Sequence, residues 1–123
     1  MKRLLIVDDA LIMRKLIRGV AENAGWHVVA EAGDGQQAVD LYRSLRPNLV
    51  TLDLVMPVMG GLDALKLIRD EDPEARVIIV TALDQKETLA ASINAGAMDF
   101  IVKPFDRTQM LGLLTKLGSS PDV

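Results

Sequence analysis

Short apolar runs alternate with longer segments of helical period along the whole chain, five times over. The runs are rich in Val, Ile and Leu and lack polar alternation, which is typical of strands covered on both faces. They predict strands at residues 3–7, 27–30, 49–52, 76–80 and 100–102. Five βα units joined by right-handed crossovers make a three-layer α/β sandwich around a parallel sheet, whereas a closed barrel needs eight.

Each helical segment carries apolar residues three and four positions apart, so we expect one stripe of each helix to face the sheet. In chain order the five stripes are Ile12, Met13, Leu16, Ile17 and Val20; Ala38, Val39, Leu41, Tyr42 and Leu45; Leu62, Leu65, Leu67 and Ile68; Leu89, Ala90, Ile93 and Ala97; and Met110, Leu111, Leu113, Leu114 and Leu117.

Length and composition restrict the function classes. The 123 residues, half of them hydrophobic, suffice for one core, and we predict one domain over residues 1–118 with a disordered tail at 119–123. The formal charge of −3 argues against nucleic-acid binding. The absence of Cys and the single His exclude thiolate chemistry and multi-histidine metal sites. The first apolar run is too short for a signal peptide or membrane span. The absence of Cys favours a reducing compartment, so we expect a cytoplasmic protein.

Polar side chains follow four of the predicted strands: Asp8 and Asp9, then Asp53, Thr81 and Lys103. The carboxyl ends of parallel strands meet at one edge of the sheet, so these groups should converge. Singly, each has an ordinary explanation, since Asp9 could cap a helix and Lys103 could be a solvated lysine. Together, three carboxylates destabilise the fold unless a cation offsets them, and their hard oxygens suit Mg²⁺.

Asp53 also has the position of a nucleophile, at the end of a buried strand. A carboxylate that attacks phosphorus forms an acyl phosphate, which requires mainly positioning and charge neutralisation. Mg²⁺ and Lys103 could neutralise the charge, and the Thr81 hydroxyl could donate to a phosphoryl oxygen.

The segments LLIVDD, LVTLDLVMPVMGG, VIIVTA and AGAMDFIVKPF resemble, in order and spacing, the motifs of response regulator receiver domains of two-component systems. The last segment is similar to stand-alone receivers of the chemotaxis type. The resemblance implies a flavodoxin-like (βα)5 fold with strand order 2-1-3-4-5. It also implies that Asp53 is the phosphoacceptor, and that Asp8, Asp9, Asp53 and the backbone carbonyl of Val55 bind Mg²⁺.

The resemblance further implies a switch. Lys103 would pair with the phosphoryl group, Thr81 would close onto it, and the aromatic ring of Phe100 would move inward, changing the surface of helix 4, strand 5 and helix 5. The Lys103–Pro104 peptide would be cis.

The implied partners are a histidine kinase or phosphotransfer protein and a downstream target protein, with a monomer as the expected state. Arg14, Lys15 and Arg18 form a basic flank of helix 1, near the surface where family members dock a phosphohistidine donor, or simply a solvated face. Leu89 and Leu111 are candidate partner contacts.

The implied function is a switch that catalyses only its own phosphorylation and dephosphorylation. The alternative is a phosphohydrolase with an aspartyl-phosphate intermediate, which generally needs a second acid and a substrate cap. Val55 occupies a place where such an acid would be useful, and no insertion is long enough for a cap. A flavin or nucleotide module is a further alternative on this fold, but this chain has no Gly-rich loop after strand 1 to support it.

The side chains of Val55 and Leu83 cannot hydrogen-bond an attacking water, so we predict slow self-dephosphorylation.

Overall fold

The computed structural model describes residues 2–119 and contains, within that range, five strands and five helices in strict alternation. In chain order these are β1 Arg3–Val7, α1 Leu11–Asn23, β2 His27–Ala32, α2 Gly35–Leu45, β3 Leu49–Leu52, α3 Gly61–Glu71, β4 Val77–Thr81, α4 Lys86–Asn94, β5 Asp99–Val102 and α5 Arg107–Gly118. The predicted βα pattern is confirmed: the bounds of β1 and β3 are as predicted, and those of the other three strands shift by one or two residues. The predicted tail at residues 119–123 lies, apart from Ser119, outside the described residues.

The strands form one parallel sheet in the order β2-β1-β3-β4-β5, as the resemblance implies. The inner strands β3 and β4 are buried along their whole length, and β1 is buried from Leu4 onward. The edge strands β2 and β5 keep exposed residues. Continuous apolar runs therefore correspond to strands covered on both faces, as expected.

Two apolar cores flank the sheet. One lies under α2 and α3 and includes Leu52, Leu65 and Ile68, and the other lies under α1 and α5 and includes Ile17 and Leu114. Trp26 is buried in the second core, where its indole Nε1 donates to the carbonyl of Leu114 at 2.8 Å, so its polar atom is satisfied.

The predicted helix stripes are wrong at several positions. On α1 the buried face is Ile17, Val20 and Ala21, whereas Ile12 is 83% exposed and Leu16 is also exposed. Leu67 of α3 is exposed in the same way. The reason is geometric: successive residues are about 100° apart around a helix, so Ile12 and Leu16 are rotated away from the row that packs on the sheet.

The stripe on α4 is the largest departure. Ser92 is the buried residue of this helix, and Ala90 and Ile93 are exposed. α4 lies beside the edge strand β5, where less sheet surface is available to cover an apolar face. Its apolar side chains instead line a surface groove.

The loops confirm one further expectation. The Lys103–Pro104 peptide is cis. Gly25 and Gly96 have positive φ angles of 88° and 109° at the ends of α1 and α4, where the chain must turn back toward the sheet. Among the residues that the structure describes, no helix is both long and apolar enough to cross a membrane.

Candidate functional site

The structure brings Asp8, Asp9, Asp53 and Lys103 together at the carboxyl edge of the sheet. Backbone hydrogen bonds continue the ladder beyond the strand ends and hold these positions. The Asp8 amide donates to the Ala32 carbonyl at 3.0 Å, the Asp53 amide to the Val7 carbonyl at 3.0 Å, and the Lys103 amide to the Thr81 carbonyl at 2.7 Å. Each side chain therefore starts from a fixed point of the sheet.

Lys103 bridges the two buried carboxylates. Its Nζ lies 2.6 Å from Oδ2 of Asp8 and 3.0 Å from Oδ2 of Asp53, and the two Asp residues are only 1% and 6% exposed. Burial alone would lower the pKa of Lys103, but the hydrogen bonds and the charges of both carboxylates outweigh it, and the net pKa shift is upward. Lys103 is thus a charged bridge rather than the solvated lysine that an isolated sequence position suggests.

The second oxygen of each buried carboxylate accepts hydrogen bonds from the main chain. Oδ1 of Asp8 accepts from the Ala10 amide at 2.9 Å. Oδ1 of Asp53 accepts from the Leu54 amide at 2.7 Å and, more weakly, from the Val55 amide at 3.4 Å. These contacts orient both carboxylates at the edge of the sheet.

Asp9 is exposed and completes a group of three carboxylates. One oxygen from each of Asp8, Asp9 and Asp53 lies within 4.8 Å of the others. The alternative role of Asp9 as a helix cap is not observed, because the cap of α1 is Ala10 and this cap makes no side-chain hydrogen bond. Three converging hard oxygen donors fit a divalent cation such as Mg²⁺.

Thr81 is fully buried at the end of β4, and its hydroxyl oxygen accepts a hydrogen bond from the Leu83 amide at 3.3 Å. Phe100 of β5 is 38% exposed. It lines a surface groove of about 350 Å³ together with α4 residues that include Leu89 and Ile93. The ring therefore faces outward in this structure. Leu89 and Leu111, the candidate partner contacts, are half-buried.

The predicted basic flank is mostly engaged within the protein. Arg14 and Arg18 pair with separate oxygens of Glu31, at 2.9 Å and 2.8 Å, while Lys15 is exposed. Arg14 also donates to the Asp8 carbonyl at 2.6 Å. The pairing of Glu31 with these two arginines is not among the sequence predictions, although a Glu that directly follows an apolar run is a signal that a basic partner lies nearby.

The loop from β3 to α3 packs tightly beneath the site, a feature that sequence analysis also missed. The Gly61 amide donates to the Leu54 carbonyl at 3.0 Å, and the Gly35 amide donates to the Met59 carbonyl at 2.9 Å. A Cβ atom at Gly61 would lie 2.0 Å from the carbonyl oxygen of Asp53. A residue without a side chain is therefore required at this position.

Comparisons with known proteins agree with this geometry. A family model described as the response regulator receiver domain matches residues 4–115. The chain is 48% identical over 117 residues to Protein CcdB of Bacillus subtilis and 44% identical over 117 residues to the chemotaxis protein CheY of Thermotoga maritima. In both cases the match covers 95% of this chain and 98% of the relative.

Solved structures give the same result. A crystal structure of a complex of CheX with CheY, BeF3 and Mg²⁺ from Borrelia burgdorferi matches with a TM-score of 0.91 at 33% identity, covering 96% of this chain and 90% of that chain. The response regulator domain of Thermotoga maritima CheB matches with a TM-score of 0.86, also at 33% identity, covering 98% and 96% of the two chains.

Proposed function

The chain belongs to the response regulator receiver domain family, and on that basis we propose that Asp53 is its phosphoacceptor. Members of this family are signalling switches that use phosphorylation and Mg²⁺. The single observation that best supports the proposal is the way in which the Asp53 carboxylate is held. It is fixed at the end of β3 by main-chain amides on one oxygen and by the Lys103 ammonium on the other.

In the proposed reaction, a carboxylate oxygen of Asp53 attacks the phosphorus of a donor. A new P–O bond forms while the bond from phosphorus to the donor breaks, and the donor leaves with that electron pair. The acyl phosphate carries three charged or polar oxygens into a pocket that is already acidic. Lys103, held at this point by Asp8 and Asp53, would donate to one of these oxygens.

Asp8, Asp9 and Asp53, with the backbone carbonyl of Val55, would hold Mg²⁺, and their donor chemistry supports this assignment. The bound ion would supply positive charge that balances the transferred phosphoryl group. Asp9 and Val55 are exposed at the rim of the pocket, so a donor can approach from this side. The domain would thereby catalyse its own phosphorylation and dephosphorylation without turning over a separate substrate.

The proposed output starts at Thr81, whose hydroxyl would donate to the phosphoryl group. Phe100 would then turn inward and leave the groove that it now lines beside α4. Its outward position supports this direction of movement, because a ring that already faces outward becomes more buried only by turning inward. The surface formed by α4, β5 and α5 would change accordingly.

A histidine kinase or phosphotransfer protein would be the donor, and a protein that binds the changed surface would be the target. The CheX–CheY complex among the matching structures supports a protein partner. We propose that residues 1–118 act as one monomeric receiver domain in the cytoplasm.

Intact mass spectrometry after incubation with Mg²⁺ and a small acyl phosphate tests the proposal. The expected result is a single phosphoryl adduct that is absent from the Asp53→Asn variant and from a sample with EDTA. An adduct that persists in Asp53→Asn would contradict the assignment. Steady donor consumption without a lasting adduct would instead favour a phosphohydrolase.

A further inference from the structure

Arg14 connects α1 to the main chain that carries the acidic pair. Its Nη1 donates to the carbonyl oxygen of Asp8 at 2.6 Å, and its Nε donates to Oε1 of Glu31 at 2.9 Å. The side chain is only 18% exposed. The guanidinium therefore bridges Asp8, which directly follows β1, and Glu31, which lies near the end of β2.

This contact completes the fixation of the Asp8 main chain. The Asp8 amide already donates to the Ala32 carbonyl at 3.0 Å, and Arg14 binds the carbonyl on the other side of the same residue. The peptide unit from Asp8 to Asp9 is thus held by its oxygen. Because the Asp9 side chain is exposed and projects from this peptide unit, the orientation of the peptide determines where the Asp9 carboxylate lies.

The guanidinium is itself held in place. Glu31 accepts from Arg14 through one carboxylate oxygen and from Arg18, at 2.8 Å, through the other. Burial tends to raise the pKa of Glu31, but the hydrogen bonds from Arg18 and Arg14 outweigh it, so the pKa is lowered and the carboxylate stays charged at neutral pH. A Cβ at Gly33 would lie 3.7 Å from Nη1 of Arg14, which shows that the loop after β2 closes against the guanidinium.

We propose that Arg14 is a positioning residue for Mg²⁺ binding, which acts by fixing the Asp8 carbonyl and thereby the Asp8–Asp9 peptide. The proposal rests on the proposed function, because it assumes that Asp8 and Asp9 bind the metal. Groups that orient metal ligands from the second layer typically change metal affinity by about 10-fold to 100-fold when they are removed.

Positioning and simple electrostatics predict opposite results for this residue. Arg14 carries a positive charge close to an acidic site, so its removal would strengthen the attraction of a divalent cation if charge alone mattered. If Arg14 acts by positioning, its removal instead weakens Mg²⁺ binding. The sign of the change therefore separates the two explanations.

Isothermal titration calorimetry with Mg²⁺ alone, at constant ionic strength, provides the test. We expect Arg14→Leu to raise the dissociation constant by about tenfold. Arg14→Lys keeps the charge but loses the two-pronged geometry, so it should give a smaller rise in the same direction. Arg18→Leu is the matched control, since Arg18 shares Glu31 but makes its contacts with Glu31 and Glu22 rather than with Asp8. It should bind Mg²⁺ like the wild type.

Urea unfolding of each variant shows whether it is folded under the conditions of the titration. If Arg14→Leu does not fold, the same titration is made with Arg14→Lys and Glu31→Gln. Equal or tighter Mg²⁺ binding by the folded Arg14 variants would overturn the positioning role while leaving the proposed function intact. A wild type that binds no Mg²⁺ would overturn the metal assignment itself, and with it this proposal.

Discussion

Replacing Gly61 by Ala should disrupt the site by displacing the main chain of the phosphoacceptor. The added Cβ would lie 2.0 Å from the carbonyl oxygen of Asp53 and 2.8 Å from both its carbonyl carbon and the Cα of Leu54. Ordinary nonbonded contacts between heavy atoms are about 3.5 Å, so the two segments must separate by roughly 1 Å or more. All three neighbouring atoms belong to the backbone, and no side-chain rotation can relieve the contact.

The magnitude follows from two opposing contributions. Overpacking of this kind typically costs about 1–3 kcal/mol, and a contact with backbone belongs at the upper end. The better helix propensity of Ala offsets at most about 1 kcal/mol. We therefore expect Gly61→Ala to lower the free energy of unfolding by about 2 kcal/mol. A displacement near 1 Å should also slow formation of the phosphoryl adduct by about 100-fold.

Urea unfolding and the initial rate of adduct formation measure the two effects. Gly112→Ala is the matched control, because nothing lies within 4 Å of a Cβ at this position in α5. It should raise the free energy of unfolding by about 0.5–1 kcal/mol and leave the phosphorylation rate unchanged. A Gly61→Ala variant that is as stable as the wild type and is phosphorylated as fast would contradict the predicted displacement of the Asp53 main chain.

Three further predictions concern other parts of the domain. The side chains of Val55 and Leu83 offer no hydrogen bond to water, so Val55→Asn and Leu83→Glu should each shorten the lifetime of the phosphorylated form. If neither variant loses its phosphoryl group faster, exclusion of water by these side chains does not set that lifetime. Within the described residues, the buried Thr51 hydroxyl has no hydrogen-bond partner. Thr51→Val should therefore raise the free energy of unfolding, as measured by urea unfolding, by about 1 kcal/mol. The pKa of Glu31 is lowered from its ordinary 4.5, so its stabilising contribution is complete above pH 4.5 and is lost as the pH falls through its folded-state pKa. The difference in unfolding free energy between the wild type and Glu31→Gln should shrink on acidification, and a constant difference from pH 6 to pH 3 would argue against the ion pair.

Local sequence was sufficient for the strands and for the side chains that follow them. β3 and β4 could be predicted because a run such as that at Val77–Thr81 is apolar at nearly every position, and only a strand between two layers buries both faces. Convergence of Asp8, Asp53 and Lys103 then follows from parallel topology, since strand ends share one edge of the sheet.

The remaining features depend on contacts between distant segments. Helical period identifies residues that share a face but not how much of that face is covered, so Ile12 and Ile93 were wrongly expected to be buried. The contact of Arg14 with Asp8 and Glu31 exists because β1 pairs with β2, which no local pattern specifies. The close approach of Gly61 to Asp53 likewise arises only when the loop folds back onto the end of β3.

Chemical mapping of the phosphoryl group shows whether Asp53 is the phosphoacceptor. Borohydride converts a phosphorylated aspartate to homoserine, and trypsin then separates the candidates, because Asp53 lies in the peptide 44–66 whereas Asp8 and Asp9 lie in the peptide 4–14. Fragment masses distinguish Asp53 from Asp63 within the first peptide. We predict homoserine at position 53 alone, only after incubation with Mg²⁺ and the donor. Homoserine in the peptide 4–14, or unmodified Asp53 in a protein that carries the adduct, would contradict it.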